Sequence, residues 1–170
     1  MPNHREIPPS AFSLLFTGIC FAPLMEELLL RSIIILNSRT VKLLFSTIIA
    51  LIIYFLLKPL GDITPKLAAI SSVIVCYIVL TKIDISSYIP DNTRKRTIIL
   101  LIITSLIFGF LHMRFDNLFL DIATVSFIAS KVIMGMAFGY IRIKNGLSWS
   151  ILMHSAFNAT ISIPIALSIY

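Results

Sequence analysis

The chain has 170 residues, of which 58% are apolar and only 13% carry a charge, and its mean hydropathy is +0.97. These values exclude an ordinary soluble globular domain, in which about a quarter of the residues are charged, and point to an integral membrane protein. The formal net charge of +6 does not call for nucleic acid as a partner, because the lysines and arginines cluster in the breaks between apolar runs, where they set membrane topology.

In chain order the apolar runs lie at about 11–36, 41–57, 67–81, 97–113, 117–141 and 147–170. Each is near the roughly 20 residues that cross about 30 Å of hydrocarbon as a helix. Ile, Leu and Phe follow one another in these runs without alternating polarity, which argues for helices rather than a barrel. The expected fold is all-α: one integral membrane domain over 1–170, a polytopic transmembrane helix bundle of about six spans. The third run is short and contains Ser71, Ser72 and Cys76. The first is not a signal peptide, since it continues through Glu26 and Glu27 to Leu36 with no small-x-small cleavage site. Cys20 and Cys76 lie in apolar runs and read as packing residues.

The intervening breaks are short, and alternating them across the membrane gives two sides. One holds Arg39, Lys42, Lys82, Arg94, Lys95, Arg96, Arg142 and Lys144; the other holds Arg5, Lys58, Lys66 and Arg114. The positive-inside rule places the first group in the cytoplasm and both termini outside. The cluster Arg94, Lys95 and Arg96 reads as a topology anchor, with anionic lipid as a further contact.

Ionisable residues at membrane depth are costly and mark cavities or partners. Here they are Glu26, Glu27 and Arg31 in the first run, His112 in the fourth, Lys131 in the fifth and His154, with the polar Asn158, in the sixth. At about 1.5 Å per residue, Glu26 lies about 20 Å from Arg39, His112 about 24 Å from Arg96 and His154 about 15 Å from Lys144. Three helices therefore bring polar groups to a similar level. Glu27 and Arg31 are four apart, as are His154 and Asn158, so each pair shares a helix face. Glu26 is offset by about 100° from Glu27, so the two carboxylates are not expected to face one point. One should face a cavity while the other is held by Arg31 or a neighbouring helix.

A carboxylate with a histidine activates water as a general base, and a second histidine with an amide donates to a developing oxyanion. The same donors, Glu26, Glu27, His112 and His154, would also suit a divalent metal such as zinc, although H-E-x-x-H is absent. Two readings from other classes use the same residues. One is a catalytically silent immunity or scaffold protein; the other is a proton or ion pathway.

The ordered set EExxxR at Glu26 to Arg31, FxxxH at Phe108 to His112 and HxxxN at His154 to Asn158 resembles the CPBP family, the CAAX-protease and bacteriocin-processing (Abi) intramembrane proteins. Pro23, "FGFLH" and "GYIRIKNGLSWSILMH" agree with it. The resemblance covers about 15–36 and 97–160, and it departs at Leu30, at Ser32 and in the long interval between the first two motifs. It implies a multi-pass endopeptidase of a prokaryotic cell membrane, with or without a metal, acting on a membrane-associated peptide or protein in the lipid bilayer. A glutamate of the first motif and His112 would activate the water, and His154 and Asn158 would support the oxyanion or a metal.

The remaining features read as structural. Lys131 snorkels, or pairs with Asp121 or a site carboxylate. Asn158-Ala159-Thr160 matches a glycosylation sequon but lies inside an apolar run, where the modification cannot occur. Gly135 and Gly139, spaced as GxxxG, allow close helix approach.

Overall fold

A computed structural model describes residues 10–113 and 121–168. Six helices account for the secondary structure among them, apart from two short 3-10 turns, and no strand occurs there. They are α1 (Ala11–Arg31), α2 (Ser38–Leu57), α3 (Ile63–Leu80), α4 (Arg94–Leu111), α5 (Ile122–Asn145) and α6 (Leu147–Ser168). Arg5 and Arg114, counted among the loop cations, lie outside the described residues, as does the start of the fifth apolar run.

Local chemistry sets the helix ends. Asn37 and Thr40 form a reciprocal capping box at the start of α2, each side chain bonding the other's backbone N–H at 2.9 Å. The Thr93 hydroxyl caps α4 at Arg96 N, and the Asp121 carboxylate caps α5 at Thr124 N, 2.7 Å away. Those Thr124 bonds hold the Asp121 carboxyl below the usual carboxylate range. Between α5 and α6 the chain reverses through Gly146 alone, whose φ of +101° suits glycine.

Five of the six helices are long and apolar enough to cross a membrane. The exception is α4, because it opens with Arg94, Lys95 and Arg96. That leaves residues 97–111, about 22 Å of apolar helix, short of the hydrocarbon thickness. The expected six runs are all helical, but the fourth is a short one with a charged end.

The first helix sits centrally, with α2, α4 and α6 against it; α2 pairs with α3, and α5 packs on both α4 and α6. A buried apolar cluster of Phe21, Met25 and Leu28 from α1 with Ala50, Ala69 and Val73 joins α1 to the α2–α3 pair. Serine and threonine hydroxyls within the spans return to carbonyls one turn back, as Ser46 does to Lys42 and Ser105 to Leu101. That is how they are tolerated in lipid. Cys20 does not pack inward: it is exposed on α1, since lipid is as apolar as the bundle interior and does not drive a thiol inside.

Two stretches of α1, Phe16–Phe21 and Glu27–Arg31, are π-helical. The first ends two residues before Pro23, whose ring would clash with the carbonyl of Ile19 in a regular helix, and the widened turn accommodates it. Carbonyls at both distortions accept side chains from elsewhere. Asn158 Nδ2 donates to Gly18 O at 2.9 Å, and Arg142 Nε donates to Arg31 O at 3.3 Å.

Candidate active site

Glu27 is fully buried, and both its oxygens are engaged. Oε1 lies 3.0 Å from His154 Nδ1; Oε2 accepts from the Ser150 hydroxyl and lies 3.6 Å from Arg31 Nε. Arg31 is equally buried, donates through Nη1 to Thr104 Oγ1 at 3.2 Å, and lies 5.3 Å from the centre of the Phe108 ring. Opposite charges four residues apart on α1 thus share one buried face, with Ser150 and His154 of α6 bonding Glu27 and Thr104 of α4 bonding one guanidinium nitrogen of Arg31.

Room for the guanidinium depends on glycine. A Cβ on Gly135 would lie 3.1 Å from Ser105 Cα, 3.2 Å from Arg31 Nη2 and 3.3 Å from Phe108 Cδ1, and on Gly139 it would meet Leu101 and Ile34. The GxxxG face is therefore turned toward α4 and α1. Gly135→Ala is expected to cost about 1–3 kcal/mol through overpacking, read as a lower thermal midpoint in detergent; an unchanged midpoint would mean that this contact has slack.

The His154 imidazole is stacked on Phe138, with centroids 4.5 Å apart, and meets the edge of Phe108 at 5.6 Å. Its second nitrogen, Nε2, lies 3.8 Å from Glu26 Oε2. The expectation that Glu26 and Glu27 could not face one point needs correction here. A ring with nitrogens on two edges lets both carboxylates meet one residue, Glu27 at Nδ1 and Glu26 at Nε2.

The two glutamates differ in freedom. The Glu26 side chain is 31% exposed as a whole, while its Oε2 is turned inward toward His154 Nε2 and has no hydrogen-bond donor among the described residues. His112 closes α4, half-buried, with its ring 4.6 Å from that of Phe108. Its Nδ1 lies 2.8 Å from the Phe108 carbonyl. A carbonyl only accepts, so Nδ1 carries a proton and Nε2 is left for the site.

Of the residues singled out in the sequence, Glu26, Glu27, Arg31, His112 and His154 lie together. The described hydrogen bond of Asn158 is to Gly18 O, on the side of α1 away from Arg31, so its amide joins α6 to α1. Lys131 does not pair with Asp121, whose carboxylate caps α5. Arg142, counted above as a cytoplasmic anchor, is buried against the end of α1. Ser150, Thr104 and Phe138 were not read as part of the site. Only Ser150 had a legible signal, being four residues before His154 on the face that continues to Asn158.

A metal fits this arrangement poorly. Among the described residues no three His, Cys, Asp or Glu side chains come together as a metal site. Glu27 is saturated by Ser150, His154 and Arg31, and His154 Nδ1 is used by Glu27.

No curated protein and no solved structure matches the chain. The family described as type II CAAX prenyl endopeptidase Rce1-like matches over residues 8–160, which spans every helix that contributes to the site. With the motifs of α1, α4 and α6 inside that match and five apolar helices able to cross a membrane, this multi-pass membrane protein belongs to the Rce1-like type II CAAX prenyl endopeptidase (CPBP/Abi) family.

Proposed function

We infer that the chain is an intramembrane endopeptidase in which Glu26 is the general base. The observation that carries this reading is the contrast within the Glu26–Glu27 pair. Glu27 is buried and committed on both oxygens, whereas the Glu26 side chain is partly exposed and its inward oxygen, Oε2, has no donor among the described residues.

In this reading the Glu26 carboxylate takes a proton from water as the hydroxide adds to the scissile carbonyl carbon. His112, its Nδ1–H fixed on the Phe108 carbonyl, presents Nε2 to the same water. After the tetrahedral intermediate forms, the proton held by Glu26 passes to the leaving amine, the C–N bond breaks, and the carboxylate is regenerated. His154 is a positioning residue, held by Glu27 and the two phenylalanine rings so that Nε2 faces Glu26. Arg31, Ser150 and Thr104 hold Glu27, and Asn158 holds α6 on α1. No step passes through a metal.

The substrate class is a membrane-associated peptide: a prenylated C-terminus, a leader or pheromone-like peptide, or a bacteriocin, met in a prokaryotic cell membrane laterally or from the cytoplasmic face. A scaffold or immunity role is the second reading, favoured by the engagement of both Glu27 oxygens by Ser150, His154 and Arg31, which needs no substrate.

Reconstituted wild type, Glu26→Gln and His112→Ala would be incubated with a pool of membrane-associated peptides and read by mass spectrometry, with and without a chelator. New termini from wild type alone, unaffected by the chelator, are the expected result. Folded variants that produce the same termini as wild type, or that keep the cellular phenotype while no chain cleaves, would replace this reading with the scaffold. Loss of wild-type cleavage in chelator would overturn the metal-free part.

A further inference from the structure

We propose that Lys131 is a specificity-determining residue that binds a carboxylate of the substrate peptide, an inference that rests on the endopeptidase reading.

Lys131 lies nine residues into α5, about 14 Å from its start and so within the span. The register between α4 and α5 places its head group. A Cβ on Gly135 would meet Ser105, and one on Gly109 would meet Val132 and lie 3.2 Å from Ile128 O. The helices run antiparallel, so His112, three residues beyond Gly109, is level with the turn around Ile128. Helical side chains lean toward the N-terminus of their own helix, and Lys131 Nζ does so, lying 5.4 Å from the centre of the Phe127 ring. The ammonium therefore reaches toward the level of His112. Lys131 also shares the i, i+4 face with Gly135 and Gly139, the face turned to α4 and α1.

Arg31, Arg142 and Lys66 each have a protein acceptor: Thr104 and Glu27, the Arg31 carbonyl, and Asp62 with Thr17. Lys131 has neither a hydrogen bond nor an ion pair within 4.0 Å among the described residues, and Glu26 lies beyond that distance. A cation at membrane depth beside the proposed scissile site calls for an anion, and a peptide brings carboxylates. One held on Lys131 would fix how far from it the peptide is cut.

The test uses full-length protein in nanodiscs with three versions of one lipidated peptide: a free C-terminal carboxylate, a C-terminal amide, and an amide with a glutamate added near the terminus. Binding is measured on the Glu26→Gln background and cleavage with Glu26 intact, each with Lys131, Lys131→Arg, Lys131→Gln and Lys131→Met. Loss of one charge-assisted hydrogen bond corresponds to about a ten- to hundredfold preference for the free acid over the amide. Lys131→Arg should keep that preference, and Lys131→Gln and Lys131→Met should erase it through KM and Kd. If the glutamate peptide recovers tight binding, the carboxylate is a side-chain one and the recognition chemistry still holds. Equal binding of acid and amide by wild type, or an equal loss for both on Lys131→Gln, would overturn the assignment. An acid preference in binding with no cleavage by wild type would keep Lys131 as the anchor and remove the endopeptidase reading instead.

Discussion

Glu26→Gln is expected to lower peptide cleavage by about 10²–10⁴-fold, the range for removal of a general base, while leaving the thermal midpoint close to that of wild type. The amide is nearly isosteric with the carboxylate, and the side chain it replaces is partly exposed, with an oxygen that accepts from no described donor. Little bonding is lost in the fold. The comparison that gives this result its force is Glu27→Gln. That change leaves the Arg31 guanidinium without its buried counter-charge and puts an amide between Ser150 and His154. It should lower stability and activity together. Parallel melting curves and initial rates separate the two. Were Glu26→Gln to lose its fold, or Glu27→Gln to lose activity at unchanged stability, the roles assigned to the two glutamates would have to be exchanged.

The second large effect concerns the buried ion pair. Arg31→Met and Glu27→Leu, made singly, are each expected to cost about 3–5 kcal/mol, because each strands the partner charge away from water. Made together they should cost much less than the sum, since an apolar pair of similar volume needs no compensation in a lipid-embedded core. Stability is read from reversible unfolding in mixed micelles, and activity from the same preparations. The double variant should be folded and inactive, because His154 would lose the carboxylate that holds Nδ1. Strictly additive losses would mean that Thr104 and Ser150, rather than Glu27 and Arg31 for each other, provide most of the stabilisation.

Much of the bundle could be read from the chain because lipid leaves the backbone few options: a long apolar run has to satisfy its own amides, and a helix does so. The same uniformity hid which way residues face. Arg142 read as a loop anchor because it follows an apolar run, yet a long side chain near a helix end can turn inward as readily as out, and here it reaches the Arg31 carbonyl. Cys20 read as packed and is exposed for the same reason. The charged residues that gather from α1, α4 and α6 could be singled out because charge is rare in such a chain. Their order was harder. A regular helical wheel separates Glu26 from Glu27 and groups His154 with Asn158. In the structure one imidazole meets both glutamates, while Asn158 turns to the Gly18 carbonyl at a π-helical turn that no spacing rule anticipates. Thr104 carries no charge and is silent among other hydroxyl residues, and only its four-residue spacing from His154 marks Ser150.

The sequence separation between Glu27 and its partners on the last helix bears on how the protein is made. Ser150 lies 123 residues and His154 127 residues after Glu27. During synthesis α1 enters the membrane long before α6 exists, and for that interval Arg31 is the one site partner already present on its own helix. The four-residue spacing thus lets the first helix carry a carboxylate into the bilayer as half of a pair, at a time when insertion would otherwise oppose it. Only when the ribosome has released the sixth helix can Ser150 and His154 take hold of Glu27, and only then does Glu26 meet the imidazole. Until α6 arrives, a nascent chain would hold these carboxylates in the membrane without the partners that complete the cluster.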